Sequence, residues 1–465
     1  MTVQESRLFA AGADILAISE ATVLVAVDGI PGCAPWEHPA WALCRALRAL
    51  GFGRVELHGG EEHSFEFSHL MHGAVFEHTA LEWLRELASP RSQGQEIIVH
   101  LGSDPLSREF WIETARQRTS NFVGVRWGSS WVEMGSMCFE AISGEEFPLD
   151  AVLDENPTPP LARISAGLAL QETLNVVGQL DEVAPPEARV SFDAASETRA
   201  FESVPGASSA KSIENDVVEV IGAGAVGTNF LESFAPMLGR GCELRIFDFD
   251  RVGPENLHTQ PAFSTQDVGR PKAEVMSEKL AKICNTSLEL RPVIARYEER
   301  SRDLSTPTLR VCCPDTFAAR KNCNDRSLAD GVPLVEAGCT PLAAQVRSYL
   351  PGYTACLECR IRSLPLRAAQ EQDRAACAQQ QAYTLPGSSM ICGGLLATEA
   401  LRTLDPDHFG RPSRGTIAYD ARIGRRLGIL DERPACSHER RERSGSRERP
   451  AGWTDLQADH REGAE

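Results

Sequence analysis

Residues 217–250 constrain the fold more than any other stretch of the chain. An apolar β-branched run, Val217 to Ile221, leads into Gly222-Ala223-Gly224-Ala225-Val226-Gly227. A helix-like segment comes next, then a second apolar strand ending in Asp248-Phe249-Asp250. Strand, glycine-rich turn, helix and strand make a βαβ unit. A turn without side chains lets backbone N–H groups approach an anion at a helix N-terminus. The glycine pattern alone is shared by dehydrogenases, flavoproteins and many other nucleotide binders.

Length and composition set the outer bounds. A chain of 465 residues is expected to hold two or three domains. Its 42% hydrophobic and 24% charged residues are ordinary for a soluble globular protein. No apolar run approaches the roughly 18 residues that span a bilayer. Residues 1–23 carry acidic groups and no basic start, so no export signal is read there and a cytoplasmic location is expected. The formal charge of −18 argues against non-specific nucleic-acid binding. Of 14 cysteines, only Cys33, Cys44 and Cys138 lie in the first 200 residues. The others gather around glycine-rich and Cys-x-x-Cys elements, which points to metal binding and thiol chemistry in a reducing compartment.

The chain divides at a Pro/Ser/Glu-rich stretch. Residues 186–212 have no amphipathic period and are expected to be a linker between a first half, 1–185, and a second, 213–438. Residues 439–465, dense in Arg, Glu, Ser and Gly, are expected to be disordered. The polar segment Arg367 to Gln381 reads as a mobile crossover loop. The halves look like diverged copies. ATVLVAVDGI with RVELHGG parallels VVEVIGAG with ELRIFDFD, and EIIVHLGSDPLSREFW parallels LRVCCPDTFAARKN. ISAGLALQETLNVV parallels ICGGLLATEALRTL, with Gly167 and Glu172 spaced as Gly394 and Glu399. A chance likeness between two doubly wound domains is the plainer alternative. The first half lacks the glycine turn, the Asp-x-Asp and the Cys-x-x-Cys.

The residues after the glycine turn narrow the field. Asp248-Phe249-Asp250 leads to Pro-Glu-Asn256-Leu257, then Gln260, then Gly-Arg270-Pro-Lys272. That order resembles the adenylating enzymes that activate ubiquitin and the ThiF-type adenylyltransferases of sulfur carriers. It most resembles a two-halved activating enzyme of a bacterial ubiquitin-like conjugation system. The likeness covers most of 211–438 by specific motifs and 15–185 only by weak pattern. It implies an α/β fold of two Rossmann-like adenylation-type domains, inactive in the N-terminal half and active in the C-terminal half. The two would associate as an internal pseudo-dimer with a structural zinc site, and further oligomerisation is left open.

The resemblance also assigns roles. Gly222, Gly224 and Gly227 would close the turn under ATP phosphates. Asp250, or alternatively Asp248, would accept from ribose hydroxyls. Asn256 and Lys272 belong to the nucleotide site, with Lys272 offsetting phosphate charge. Asp315, at the end of a strand and followed by Arg320 and Asn324, would hold Mg²⁺; a helix N-cap is its plainer role. The family usually has Arg before the Gln, where this chain has Thr259, so charge would come from Lys272, His258 or Arg270. An Arg borrowed from the opposite half has one early candidate, Arg7. Cys356 and Cys359 match the family's first zinc pair, and Cys436 with His438 would complete a Cys₃His site for Zn²⁺. Cys377 stands where activating enzymes carry the thioester-forming cysteine, and a non-catalytic thiol is the alternative.

The function implied is ATP-dependent adenylation of the C-terminal carboxylate of a ubiquitin-like protein, thioester formation on Cys377, and transfer to a conjugating enzyme. Sulfur-carrier adenylation without an essential cysteine is the alternative. An NAD-dependent oxidoreductase and a non-catalytic nucleotide-binding scaffold stand further off. Neither nucleic acid nor membrane is an expected partner.

Overall fold

The computed structural model describes residues 15–27, 39–58, 96–102, 104–127, 131–137, 157–178, 190–193, 213–284, 287–374, 384–423, 426–430 and 438. The described residues form two α/β sheets.

The first sheet contains β1 (Thr22–Val27), β2 (Arg54–His58), β3 (Glu96–Leu101), β4 (Asn121–Trp127), β5 (Trp131–Met137) and β6 (Val190–Asp193). Its order is β2-β1-β3-β4-β5-β6. The first four strands are parallel, and β5 and β6 run antiparallel. Helices α1 (Pro39–Ala49), α2 (Pro105–Arg118) and α3 (Pro159–Gly178) connect them. Strand β6 lies inside the stretch expected as a linker: its four residues pair with β5 and extend the sheet.

The second sheet contains β7 (Val217–Ile221), β8 (Glu243–Phe247), β9 (Glu289–Val293), β10 (Leu309–Cys312), β11 (Leu334–Cys339), β12 (Ala343–Tyr349), β13 (Thr416–Asp420) and β14 (Arg426–Leu430). Its order is β14-β13-β12-β11-β10-β7-β8-β9. Strands β7 to β11 are parallel and the last three antiparallel. Its principal helices are α4 (Ala225–Phe234), α5 (Lys272–Ile283), α6 (Phe317–Asp330), α7 (Leu364–Arg374) and α8 (Pro386–Leu404). The central strands are buried almost throughout, as parallel strands covered on both faces must be. Edge strand β9 is mostly exposed and carries Pro292, which cannot donate to a further strand. Part of the polar segment expected as a loop is helical: α7 covers Arg367 to Arg374. Leu364 and Ala368 are buried, and the Arg367 guanidinium lies 4.8 Å from the Phe317 ring centre.

Among the described residues the first sheet has no counterpart of β9 or β14; otherwise the two strand orders match, with β1, β2, β3, β4, β5 and β6 in the places of β7, β8, β10, β11, β12 and β13. In chain order, α3 lies between β5 and β6 as α8 lies between β12 and β13. The two helices pack on one another and are buried on nearly every side, as helices apolar all round must be. Glycine meets isoleucine across this packing twice. A Cβ on Gly167 would fall 2.8 Å from the Ile391 backbone nitrogen, and one on Gly394 would fall 3.1 Å from that of Ile164. Each isoleucine stands three residues before the glycine of its own helix. Polar groups flank the contact: Arg45 of α1 and Arg163 of α3 both pair with Glu232 of α4, at 2.7 and 2.9 Å.

Buried charge also crosses the second sheet. Glu219, Arg245 and Arg310 lie side by side on β7, β8 and β10, each at most 2% exposed. Both guanidiniums lie 3.2 Å from the glutamate, which also accepts from the Tyr297 hydroxyl at 3.0 Å. Among the described residues, no helix is long and apolar enough to cross a membrane.

Candidate nucleotide and metal sites

The glycine turn sits where the second sheet's order reverses, with β8 on one side of β7 and β10 on the other. Ligands of open α/β sheets bind at such a switch point. Gly222 has φ of 96°, a left-handed conformation that favours glycine. Its N–H donates to the Phe247 carbonyl at 2.8 Å. A Cβ there would come within 3.2 Å of the Cys313 carbonyl and the Pro314 nitrogen. The turn therefore lies against the segment that leads from β10 to Asp315. On Gly227 a Cβ would fall 2.0 Å from the Gly222 oxygen, so the first turn of α4 closes only over glycine. Gly224 differs: a Cβ on it would meet nothing within 4 Å. The fold needs Gly222 and Gly227, and nothing in the fold needs Gly224.

The two aspartates after β8 divide their work. Asp248 is buried and accepts from the Ala223 N–H at 2.7 Å and the Asp250 N–H at 2.8 Å, which ties the end of β8 to the glycine turn. Burial pushes its carboxyl above the usual range, against the pull of Lys272 and of these two N–H groups. The Asp250 side chain is 51% exposed and pairs at 3.3 Å with Lys272, whose own side chain is 8% exposed. The Lys272 N–H donates to the Asp250 carbonyl at 3.0 Å, so the first residue of α5 is fixed to the end of β8. Asn256 accepts from the Gly253 N–H at 2.8 Å and closes the turn ahead of Leu257. Of the groups that would replace the usual Arg at Thr259, His258 donates to the Ala49 carbonyl of α1 at 3.1 Å, and Arg270 pairs with Glu278. Lys272 is the cation held against the switch-point aspartates. Thr259 itself is buried.

Asp315 is exposed just beyond β10. The N-terminus of α6 is capped without it: Thr316 accepts from the Ala319 N–H at 3.4 Å, and Glu371 of α7 accepts from the Ala318 N–H at 3.0 Å. Arg320 donates to the Pro314 carbonyl at 3.1 Å and pairs with buried Glu336 at 2.6 Å, fixing the loop that carries Asp315. The equivalent aspartate of the first half, Asp104, caps α2 with both oxygens, accepting from the Leu106 and Ser107 N–H groups at 3.1 Å each. Asn324 is fully buried and accepts from the Leu357 N–H at 2.9 Å, which ties α6 to the Cys356–Cys359 turn.

Cys356, Cys359 and His438 meet although the histidine lies far along the chain. Its Nδ1 is 3.4 Å from Cys356 Sγ and 3.6 Å from Cys359 Sγ, and all three donor atoms lie within 4.8 Å of one another. Two ligands on a tetrahedral ion with ordinary Zn–S and Zn–N lengths stand about 3.6 Å apart, so the spacing fits zinc. Cys436, Cys377 and Arg7 lie outside the described residues.

A profile of the ThiF family matches residues 195–427. This chain belongs to the ThiF family. Among curated ThiF-like relatives, the NEDD8-activating enzyme E1 catalytic subunit of Arabidopsis thaliana is 28% identical over 247 residues, covering 48% of this chain and 51% of that protein. The sulfur carrier protein adenylyltransferase of Thermus thermophilus is 32% identical over 213 residues, covering 44% and 74%. The molybdopterin-synthase adenylyltransferase of Salmonella typhimurium is 29% identical over 209 residues, covering 44% and 78%. The chain thus spans about half the length of the first of these relatives.

Reading the sequence alone missed three groups: the Thr316 and Glu371 caps, the Asp248 clamp, and the arginines that grip Glu232. One signal was available. Arg163 stands in an otherwise apolar run, and a buried arginine requires a partner.

Proposed function

We propose that this chain adenylates the C-terminal carboxylate of a ubiquitin-like protein with MgATP. The observation that carries this reading is the contact of the Gly222 turn with Cys313 and Pro314. It sets the glycine turn and Asp315, which has no side-chain partner among the described residues, at the same end of the same sheet. Gly224 would let backbone N–H groups approach the phosphates, and Asp250 would accept from the ribose. Lys272 would offset charge at the α-phosphate as the carboxylate oxygen attacks and pyrophosphate leaves. Arg7 of the first half would add a second positive charge. Cys377 would then attack the acyl carbon. A C–S bond forms, the bond to AMP breaks, and the thioester passes to a conjugating enzyme.

The halves are read as diverged copies in pseudo-two-fold association. The reciprocal Gly–Ile contacts of α3 and α8 support this, because a two-fold interface repeats each contact with the partners exchanged. The first half is read as inactive, since its Asp104 is committed to a helix cap. Zn²⁺ held by Cys356, Cys359, Cys436 and His438 would be structural, fastening the C-terminal segment to the turn after β12. A second reading, sulfur-carrier adenylation without an essential cysteine, is favoured by the larger share of the sulfur carrier adenylyltransferase that the chain covers.

Pyrophosphate exchange with candidate carriers tests the first step. The expected result is exchange that needs the carrier's intact C-terminus and is lost in Lys272→Ala and Asp315→Ala. A non-reducing gel of wild type against Cys377→Ala separates the two readings. A thiol-sensitive adduct that vanishes in the variant supports conjugation, and exchange with no such adduct supports sulfur transfer. Hydride transfer from NADH in place of exchange would overturn both.

A further inference from the structure

A pair of thiols beside the switch point has no part in the adenylation chemistry. Cys339 ends β11, next to β10, and is half-buried. It hydrogen-bonds the Thr384 hydroxyl at 3.1 Å, one residue before the N-cap of α8. Cys392 projects from α8 onto the same strand end. Its Sγ lies 3.6 Å from the Gly338 carbonyl and 3.9 Å from that of Gln345, which is the rung of the β11–β12 ladder adjoining Cys339 and Ala344. Both thiols therefore lie at the end of β11 against the start of α8, with Cys392 Sγ on the carbonyl of the residue next to Cys339. Arg320 packs over Gly338, and a Cβ there would stand 2.9 Å from its guanidinium nitrogens. Cys339 is half-buried, and Cys392 is fully buried.

We propose that Cys339 and Cys392 form a reactive dithiol that a hydroperoxide converts to an intramolecular disulfide. The Cys339 thiolate attacks the peroxide, the O–O bond breaks, and a sulfenic acid forms as water or an alcohol leaves. The Cys392 thiol then attacks the sulfenic sulfur, forming the S–S bond and releasing water. The peroxide is reduced by two electrons and the thiol pair is oxidised by two. The surroundings divide the roles. The neighbouring Cys392 thiol, opposed by burial and aided by Thr384 and Arg320, holds the Cys339 thiol below its ordinary range. Cys339 and burial push Cys392 well above it, with Cys313 and Glu336 acting in the same direction. An attacking thiol of low pKa beside a protonated resolving thiol is the arrangement that thiol oxidation requires. The bridge would fasten the end of β11 to α8 at the edge of the nucleotide site. Cys312 and Cys323 pack in one core cluster, both fully buried, and serve as an internal control.

The test uses the full-length, zinc-replete protein. Limiting hydrogen peroxide is followed by alkylation and digestion without reduction. The expected product is a peptide pair joining Cys339 to Cys392, reversed by dithiothreitol. Cys392→Ser is expected to leave a sulfenic acid on Cys339 that dimedone traps. In the untreated wild type, Cys339 is expected to react with iodoacetamide at least about tenfold faster than Cys312 or Cys323. This measurement stands even if the variant fails to fold. Alkylation of Cys339 no faster than the buried pair, or a bridge from Cys339 to any other thiol, overturns the proposal. None of these readouts depends on adenylation.

Discussion

The three glycines of the turn are equivalent in the sequence and unequal in the fold. Gly222 is held by its backbone conformation and Gly227 by contact with the Gly222 carbonyl, whereas Gly224 faces open space. Gly224→Ala is therefore expected to leave stability within about 0.5 kcal/mol of wild type. Pyrophosphate exchange should fall at least about tenfold, because the methyl group would occupy the place of a phosphate. Gly227→Ala is expected to cost about 3 kcal/mol, because a methyl group cannot share space with a backbone oxygen. Thermal melts beside the exchange assay check both. A Gly224→Ala enzyme of full activity would remove the phosphate from that turn. The same inequality separates the two halves at their equivalent aspartates. Thr316 caps α6 and leaves Asp315 unengaged among the described residues, while Asp104 caps α2 itself. Asp315 and Thr316 are both good caps, so sequence order could not say which would serve. Asp315→Asn should accordingly abolish exchange while shifting the urea midpoint little.

At the scale of elements, α4 is gripped at both ends: the glycine turn forms its N-terminus, and Arg45 and Arg163 hold Glu232 near its C-terminus. Burial alone would raise the Glu232 pKa, but the two guanidiniums pull it down to about 2. A carboxylate depressed from 4.5 to about 2 contributes about 3 kcal/mol, present above pH 4.5 and lost as pH falls toward 2. Glu232→Ala is expected to cost about 3–5 kcal/mol at pH 7, because it leaves the buried Arg163 and half-buried Arg45 guanidiniums without their carboxylate. In urea denaturation the gap between wild type and variant should narrow as pH falls from 4.5. A gap independent of pH would show that the ion pair is not its source. Elements differ in how clearly the sequence announces them. The βαβ unit from β7 to β8 was readable because apolar period, glycine spacing and terminal aspartates coincide within one short segment. Helix α7 was not, because its polar composition hides a narrow buried stripe whose partner is α6. Strand β6 was not, because four residues in a Pro/Ser/Glu-rich stretch become a strand only when β5 offers an edge. Of the metal cluster, Cys356 and Cys359 were visible as a motif, while His438 had only its chemistry to recommend it until the fold brought it alongside.

Across the whole molecule, the proposed duplication rests on three ordered segment matches, and the packing of its two central helices could not be read from them. Matching Gly-to-Glu spacing pairs Gly167 with Gly394 in the sequence, but only the fold sets each against the other helix's isoleucine. Helices α3 and α8 are buried on nearly every side, so neither half can keep its central helix covered without the other. The halves are therefore expected to unfold together. The chain carries its own probes for this. Its seven tryptophans are Trp36, Trp41, Trp83, Trp111, Trp127, Trp131 and Trp453, and none falls within 213–438, whereas all five tyrosines do. Urea transitions followed by tryptophan fluorescence and by the tyrosine bands of second-derivative absorbance should coincide. Gly167→Ala should lower both midpoints together, by a stability loss of about 1–3 kcal/mol, although the residue lies in the half that lacks the glycine turn. Gly394→Ala should do the same to a similar degree, since it makes the mirror-related contact. Loss of the tryptophan signal at lower urea than the tyrosine signal, in wild type or in either variant, would mean that the halves are separate folding units.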